Sequence, residues 1–284
     1  MKKIKFLAAP FYLGANNKGI KEGYEKYKKD ILCEYVLGVS KFKEDFSNDN
    51  LKNLDAVIEM TKELSKQTSK AVKNGDIPIT IGGDHSIALG TIAGVSEQIN
   101  NLGVVWIDAH GDMNTDKTTP SGNIHGMILA ALQGIGNEKL TRLVKNQIST
   151  ENVFIFGTRD LDKNEEALMN NVETNYFSYD VIKSNGLIET LSQLKNKMKN
   201  IKKLHLSIDL DAINPMFAPG VSVPVNGGFS PDDTHLIVDF FFKHFEIVSI
   251  DVVEYNPIED IEDKTLKIMK KLIEYLVANI SKKV

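Results

Sequence analysis

The sequence predicts an α/β protein built on a mostly parallel central sheet. Short apolar runs alternate with longer amphipathic segments from one end to the other, the pattern of repeated βα units. Most runs are apolar throughout instead of alternating, as strands covered on both faces should be. The longest irregular stretches, Gly111 to Asn123 and Ala212 to Gly228, each follow a run that ends in acidic residues. Ligands of parallel α/β sheets bind outside the carboxyl ends of strands, where such loops sit.

The start, Met1-Lys-Lys-Ile-Lys followed by Phe6 to Ala9, imitates a secretory signal. Its apolar core is too short and stops at Pro10, so Lys3 to Ala9 is expected to be the first strand. Leu51, Leu54, Val57, Ile58, Leu64, Ala71 and Val72 then recur at helical spacing, with Asp49 and Asn50 able to cap the start and Gly75 to end the helix. Further strands are expected at Pro78 to Ile81, Gly103 to Asp108, Asn152 to Phe156, Thr174 to Ser178, Leu204 to Asp209 and Glu246 to Val253. Helices fit Ile87 to Gln98, Leu187 to Met198, Pro231 to Phe245 and Thr265 to Ile280. No repeat or linker interrupts this order, which implies one domain over residues 1–284.

Composition is that of an ordinary soluble protein, with 42% apolar and 25% charged residues among 284. A formal net charge of -4, with lysines dispersed, predicts neither a nucleic-acid nor an anionic-membrane partner. No stretch is long and apolar enough to span a bilayer, and the single cysteine excludes an intrachain disulfide, so a cytoplasmic location is expected. Cys33 follows Ile31 and Leu32 without a histidine nearby and reads as a buried structural thiol.

The chemistry lies in four segments that end strands: Gly82-Gly83-Asp84-His85-Ser86, Asp108-Ala-His110-Gly-Asp112, Asp209-Leu-Asp211 and Asp251-Val-Val-Glu254. Residues at i, i+2 and i+4 of an extended chain point the same way, so these carboxylates would crowd on one face unless cations separate them. His85, His110, Asp108, Asp112, Asp209 and Asp211 supply two imidazoles and four carboxylates, which suits two divalent ions. An oxygen-dominated set favours manganese, with cobalt, nickel or iron also able to bind. Two such ions would lower the pKa of a bridging water and make a hydroxide nucleophile. Taken singly, each acid is better explained as a solvated strand end or helix cap; only the set argues for metal. His205, nearer the middle of the sheet, and His235 and His244, on an amphipathic helix, read as structural. Gly82-Gly83 lacks the lysine and spacing of a phosphate loop and reads as a tight strand-to-loop turn.

Gly-Gly-Asp-His-Ser, Asp-Ala-His-x-Asp, Ser-x-Asp-x-Asp and Asp-Val-Val-Glu, in this order, resemble the ureohydrolase family, from Gly14 and Gly19 to Glu254 and Pro257. The resemblance implies a three-layer α/β/α fold of the arginase type with about eight strands. It also implies one metal on His85, Asp108, Asp112 and Asp209 and a second on His110, Asp108, Asp209 and Asp211. Thr118 to Gly126 is similar to the arginase version of that loop, which implies that Asn114, Thr119 and Ser121 bind a substrate α-carboxylate and that Asn123 shapes the same pocket. By the same resemblance Asp162 meets an α-ammonium group, Glu165 reaches it less directly, Glu254 holds a guanidinium, Asp112 accepts a hydrogen bond from the attacking hydroxide and His125 delivers a proton.

The activity so implied is hydrolysis of L-arginine to L-ornithine and urea, in a homotrimer or homohexamer. Formimidoglutamate, agmatine or another guanidino acid is the alternative substrate, because Asn214 and Val223 depart from the commonest pattern and Val223 replaces a threonine near the guanidinium. A metal-binding protein without turnover would need neither His125 nor Glu254. A phosphoesterase would want cations around its phosphate, and the loops after the acidic clusters offer only Lys117.

Overall fold

The computed structural model describes residues 3–282; Met1, Lys2, Lys283 and Val284 lie outside it, including the ends of the expected 1–284 domain. The strands are β1 Ile4–Ala9, β2 Tyr35–Val36, β3 Ile77–Gly82, β4 Gly103–Ile107, β5 Val153–Thr158, β6 Asn175–Ser178, β7 Lys203–Asp209 and β8 Glu246–Val253. They form one eight-stranded sheet in the order β2-β1-β3-β8-β7-β4-β5-β6, every pair parallel. The seven long strands fall within a residue or two of the expected positions. β2 was not expected, since two residues on a sheet edge carry no periodic signal.

The helices are α1 Gly23–Tyr27, α2 Leu54–Lys73, α3 Ile87–Ser96, α4 Ile128–Leu132, α5 Glu138–Thr141, α6 Lys163–Asn171, α7 Tyr179–Asn185, α8 Leu187–Lys197, α9 Pro231–His244 and α10 Lys264–Lys282. Two apolar clusters sandwich the sheet. Val105, Ile107, Phe154, Phe156, Leu206 and Ile250 face α8, α9 and α10, whereas Val104, Trp106, Val153 and Ile155 face α2, α3 and α4. Period-two alternation of side chains along each strand produces this division, and it yields the expected three layers.

Several local expectations change. α2 starts after Asn53, whose backbone is left-handed (φ 57°), and not at Asp49 or Asn50. The Asn53 amide explains the shift, because it donates to Leu13 O at 2.9 Å while its oxygen accepts from Asp45 N at 2.7 Å, pinning the approach to the helix from outside. Gly75 does end α2, with φ 81° and its N–H on Val72 O. Gly82 and Gly83 are needed for close approach and not for a positive φ: a Cβ on Gly83 would collide with the carbonyls of Ala9 and Phe11. Cys33 is only half-buried, and its burial pushes the thiol up to about 11, so it is an inert thiol on the rim of the core.

Candidate metal centre and substrate cavity

In the sheet order, β3, β8, β7 and β4 are neighbours. Their carboxyl ends carry the four polar segments: His85 follows β3, Glu254 follows β8, Asp209 closes β7, and Asp108 follows β4. Because the chain leaves a gap between β3 and β4 that β7 and β8 fill later, segments far apart in sequence meet at one edge.

Two acid–imidazole clusters result. His85, Asp108 and Asp209 offer ligand atoms within 4.8 Å of one another, and so do Asp108, His110 and Asp211. His85 Nδ1 lies 2.9 Å from Asp108 Oδ2, 3.2 Å from Asp209 Oδ2 and 3.3 Å from Asp112 Oδ2. His110 Nδ1 lies 3.0 Å from Asp211 Oδ2 and 3.4 Å from Asp108 Oδ1. Asp108 therefore belongs to both clusters, presenting one oxygen to each imidazole. His85 Nδ1 and Asp108 Oδ2 are buried without a hydrogen bond, the state of atoms shaped to coordinate a cation.

Electrostatics agree. Unit charges about 4 Å apart repel by about 4 kcal/mol at an effective dielectric near 20, so four buried carboxylates cannot all ionise unaided. Burial, with Asp211 and Asp108 adding, pushes the Asp209 carboxyl well above its ordinary range, and burial with Asp108 pushes Asp211 up to about 6. Although burial opposes it, contact with His110 and His85 holds Asp108 well below that range. The residues present fit a pair of dications.

The supporting shell was only partly legible in the sequence. His85 Nε2 meets Ser207 Oγ at 2.7 Å, which leaves Nδ1 directed at the carboxylates, and its ring stacks on Trp106 with centroids 3.8 Å apart. Ser207 is two residues before Asp209 on β7, so period-two spacing could have singled it out; nothing in the sequence marks Trp106. Arg159 was also missed: Nη2 donates to Asp211 O at 2.7 Å and Val225 O at 3.0 Å, tying the loop after Asp211 to the strand end. His205 is structural, as expected, set between Ser249 Oγ at 2.7 Å and Asp251 Oδ2 at 3.2 Å. Asp251 consequently faces the core and not the site. His235 stacks on Tyr275 and His244 packs on Phe240, also as expected.

Above the clusters lies a cavity of about 260 Å³, the size for one amino-acid-sized molecule. Glu254, left-handed at φ 67°, accepts from His85 N at 2.8 Å through Oε1, while Oε2 is buried and unpartnered. His125 Nδ1 lies 3.3 Å from Glu254 Oε1; burial works against its charge, yet Glu254 raises it to about 9.

Asn114, Thr119, Ser121, Asn123, Asp162 and Glu165 also line the cavity. Asn114 Nδ2 donates to Asp162 Oδ2 at 2.9 Å. Glu165 accepts from Met113 N at 2.8 Å, and burial pushes its carboxyl up to about 7. Thr119 and Ser121 form turns, accepting from Gly122 N and Asn123 N, and a hydroxyl that accepts still has a proton to donate. Val223, 43% exposed, also lines it.

The fold and the paired clusters define a protein built to hold cations at the edge of an α/β/α sheet. The chain belongs to the arginase family, whose family model matches residues 2–278. A curated arginase of Bacillus subtilis (strain 168) is 36% identical over 97% of this chain and 98% of its own length. The arginase of Brevibacillus brevis is 37% identical over 96% of each. A crystal structure of Entamoeba histolytica arginase in complex with L-ornithine superposes with a TM-score of 0.89 at 33% identity, covering 98% of this chain and 99% of that one.

Proposed function

We propose that this chain hydrolyses L-arginine to L-ornithine and urea at a binuclear metal site. Glu254 supports this reading most strongly: it lines the cavity above the paired clusters, and its buried Oε2 has no hydrogen-bond partner. One cation would rest on His85, Asp108, Asp112 and Asp209 and the other on His110, Asp108, Asp209 and Asp211, with manganese the first choice for so many oxygen donors. When bound, such a pair acidifies coordinated water toward neutral pKa and polarises what it touches.

The remaining work falls to this chain's side chains. Glu254 Oε2 pairs with the guanidinium through charge-assisted hydrogen bonds and fixes its plane. Asp112 accepts a hydrogen bond from the water oxygen as it adds to the guanidinium carbon. The carbon–nitrogen bond to the aliphatic chain then breaks, the departing nitrogen takes a proton from the His125 imidazolium, and the two protons shed by the added water restore His125 and complete the product ammonium group. Asp162 receives the α-ammonium group, with Glu165 behind it, while Asn114, Thr119 and Ser121 donate to the α-carboxylate and Asn123 shapes their loop.

Hydrolysis of formimidoglutamate is a second reading favoured by Val223, since an apolar wall suits a formimidoyl carbon that carries hydrogen in place of a third nitrogen. Manganese-loaded protein assayed with arginine, agmatine, formimidoglutamate and guanidinobutyrate separates the two. Urea chiefly from arginine supports the proposal; formamide from formimidoglutamate with no urea from any guanidino compound overturns it.

We further propose one domain over residues 1–284 that acts in the cytoplasm as a homo-oligomer, a trimer or hexamer. The lone Cys33 and the absence, among the described residues, of a helix long and apolar enough to cross a membrane support the location.

A further inference from the structure

Asp84 is fully buried beside His85 yet belongs to neither acid–imidazole cluster. Its Oδ1 accepts from Ser86 N at 3.0 Å and from Ser86 Oγ, and its Oδ2 accepts from Ala15 N at 2.9 Å. The turn at Gly14 and Ala15 fits against this carboxylate because Gly14 lacks a side chain; a Cβ there would collide with Asp84 Oδ1 and Ser86 Oγ. The same turn carries two residues of the cavity. His125 N donates to Gly14 O at 3.2 Å, and Asn123 Nδ2 donates to Ala15 O at 3.1 Å.

We infer that Asp84 is a positioning residue: through the Gly14–Ala15 turn it sets where His125 and Asn123 stand in the cavity, an inference that rests on His125 being the proton donor of the proposed reaction. A carboxylate suits the task because each group hydrogen-bonded to it donates: Ser86 N, Ser86 Oγ and Ala15 N. An asparagine would accept on one oxygen only and set its own N–H against either Ser86 N or Ala15 N, so one side of the clamp is lost. If Asp84 served only the strand-to-helix turn at Ser86, its loss would loosen β3 and α3 without reference to His125.

The test is a cycle of Asp84→Asn, His125→Asn and the double variant in manganese-loaded protein, with hydrogen exchange and metal content measured beside kcat. Asp84→Asn should lower kcat about 10²-fold, the scale of a small misplacement of a catalytic group, with little change in KM or bound manganese. It should speed exchange over residues 12–17 and 122–127 but not over β4 and β7. In the His125→Asn background it should cost less than about threefold more, because residues that act as one unit are not additive. Gly14→Ala, which keeps the carboxylate and displaces the turn, should reproduce the pattern and replaces Asp84→Asn if that variant does not fold. Losses that multiply, exchange that is unchanged or rises everywhere, or loss of manganese would each overturn the inference. A His125→Asn variant with undiminished kcat would instead overturn the proton-donor reading, while the exchange data would still report on the clamp.

Discussion

His85 Nδ1 lies 2.9 Å from Asp108 Oδ2 with both atoms buried, and neither has a hydrogen bond of its own. Asp108 Oδ1 accepts from His110 N at 2.7 Å and lies 3.4 Å from the His110 imidazole, so a single carboxylate joins the two clusters. Asp108→Asn replaces one of those oxygens with an N–H that cannot coordinate. It should reduce bound manganese from two per chain to less than one and abolish turnover, as read by elemental analysis of the dialysed protein. Retention of both ions would remove Asp108 from its joining role.

Removing metal should make stability depend on pH in one direction. Burial and Asp108 raise Asp211 to about 6, and burial raises Asp209 further, against about 3.9 for an unperturbed aspartate. Between those values the folded chain binds more protons than the unfolded one, so stability falls as pH rises. His85, raised by Asp108, Asp112 and Asp209 against the opposing effect of burial, acts in the same sense. Melting temperatures of chelated protein should therefore decline from pH 5 to pH 7, and added manganese should reverse the decline. A metal-free melting temperature that rises over this range contradicts the crowding argument.

His125 is held up to about 9 by Glu254, against burial, so its imidazolium persists through neutral pH. If it donates the proton, kcat/KM should fall along an alkaline limb as His125 loses its charge, since that ratio reports the free enzyme. His125→Asn should lose about 10²- to 10⁴-fold in kcat with metal content intact, and the alkaline limb should vanish. An unchanged limb in the variant assigns that titration elsewhere.

Asp162 Oδ2 accepts from Asn114 Nδ2 at 2.9 Å, and both residues line the cavity. Asp162→Ala should raise KM for arginine about tenfold or more, the loss expected when a charged hydrogen-bonding partner is removed. Guanidinobutyrate, which has the carboxylate but no amine, should be affected far less. Equal effects on both substrates would mean that Asp162 does not read the α-ammonium group.

The long strands were legible because strands buried on both faces are written as apolar runs, and their acidic ends showed where the site would form. Short elements such as β2, α5 and α7 were not, because a few residues hold too little periodicity. Sequence spacing brought Asp209 and Asp211 together, but the pairing of His85 with Asp108 depends on strand order. Ser207 stood in the Ser-x-Asp-x-Asp segment, but its bond to His85 also depends on strand order, and Arg159 was hidden by acting through backbone carbonyls. The turn that Asp84 holds under His125 joins Gly14 to a histidine over a hundred residues away, a contact no local pattern carries.

The two clusters, joined through Asp108, are expected to act together. Stepwise addition of manganese to metal-free protein, with bound metal and urea released from arginine measured on the same samples, separates joint from independent action. Urea release should rise only as the second equivalent binds and level off at two ions per chain. Full activity at one equivalent, or with none, would contradict joint action.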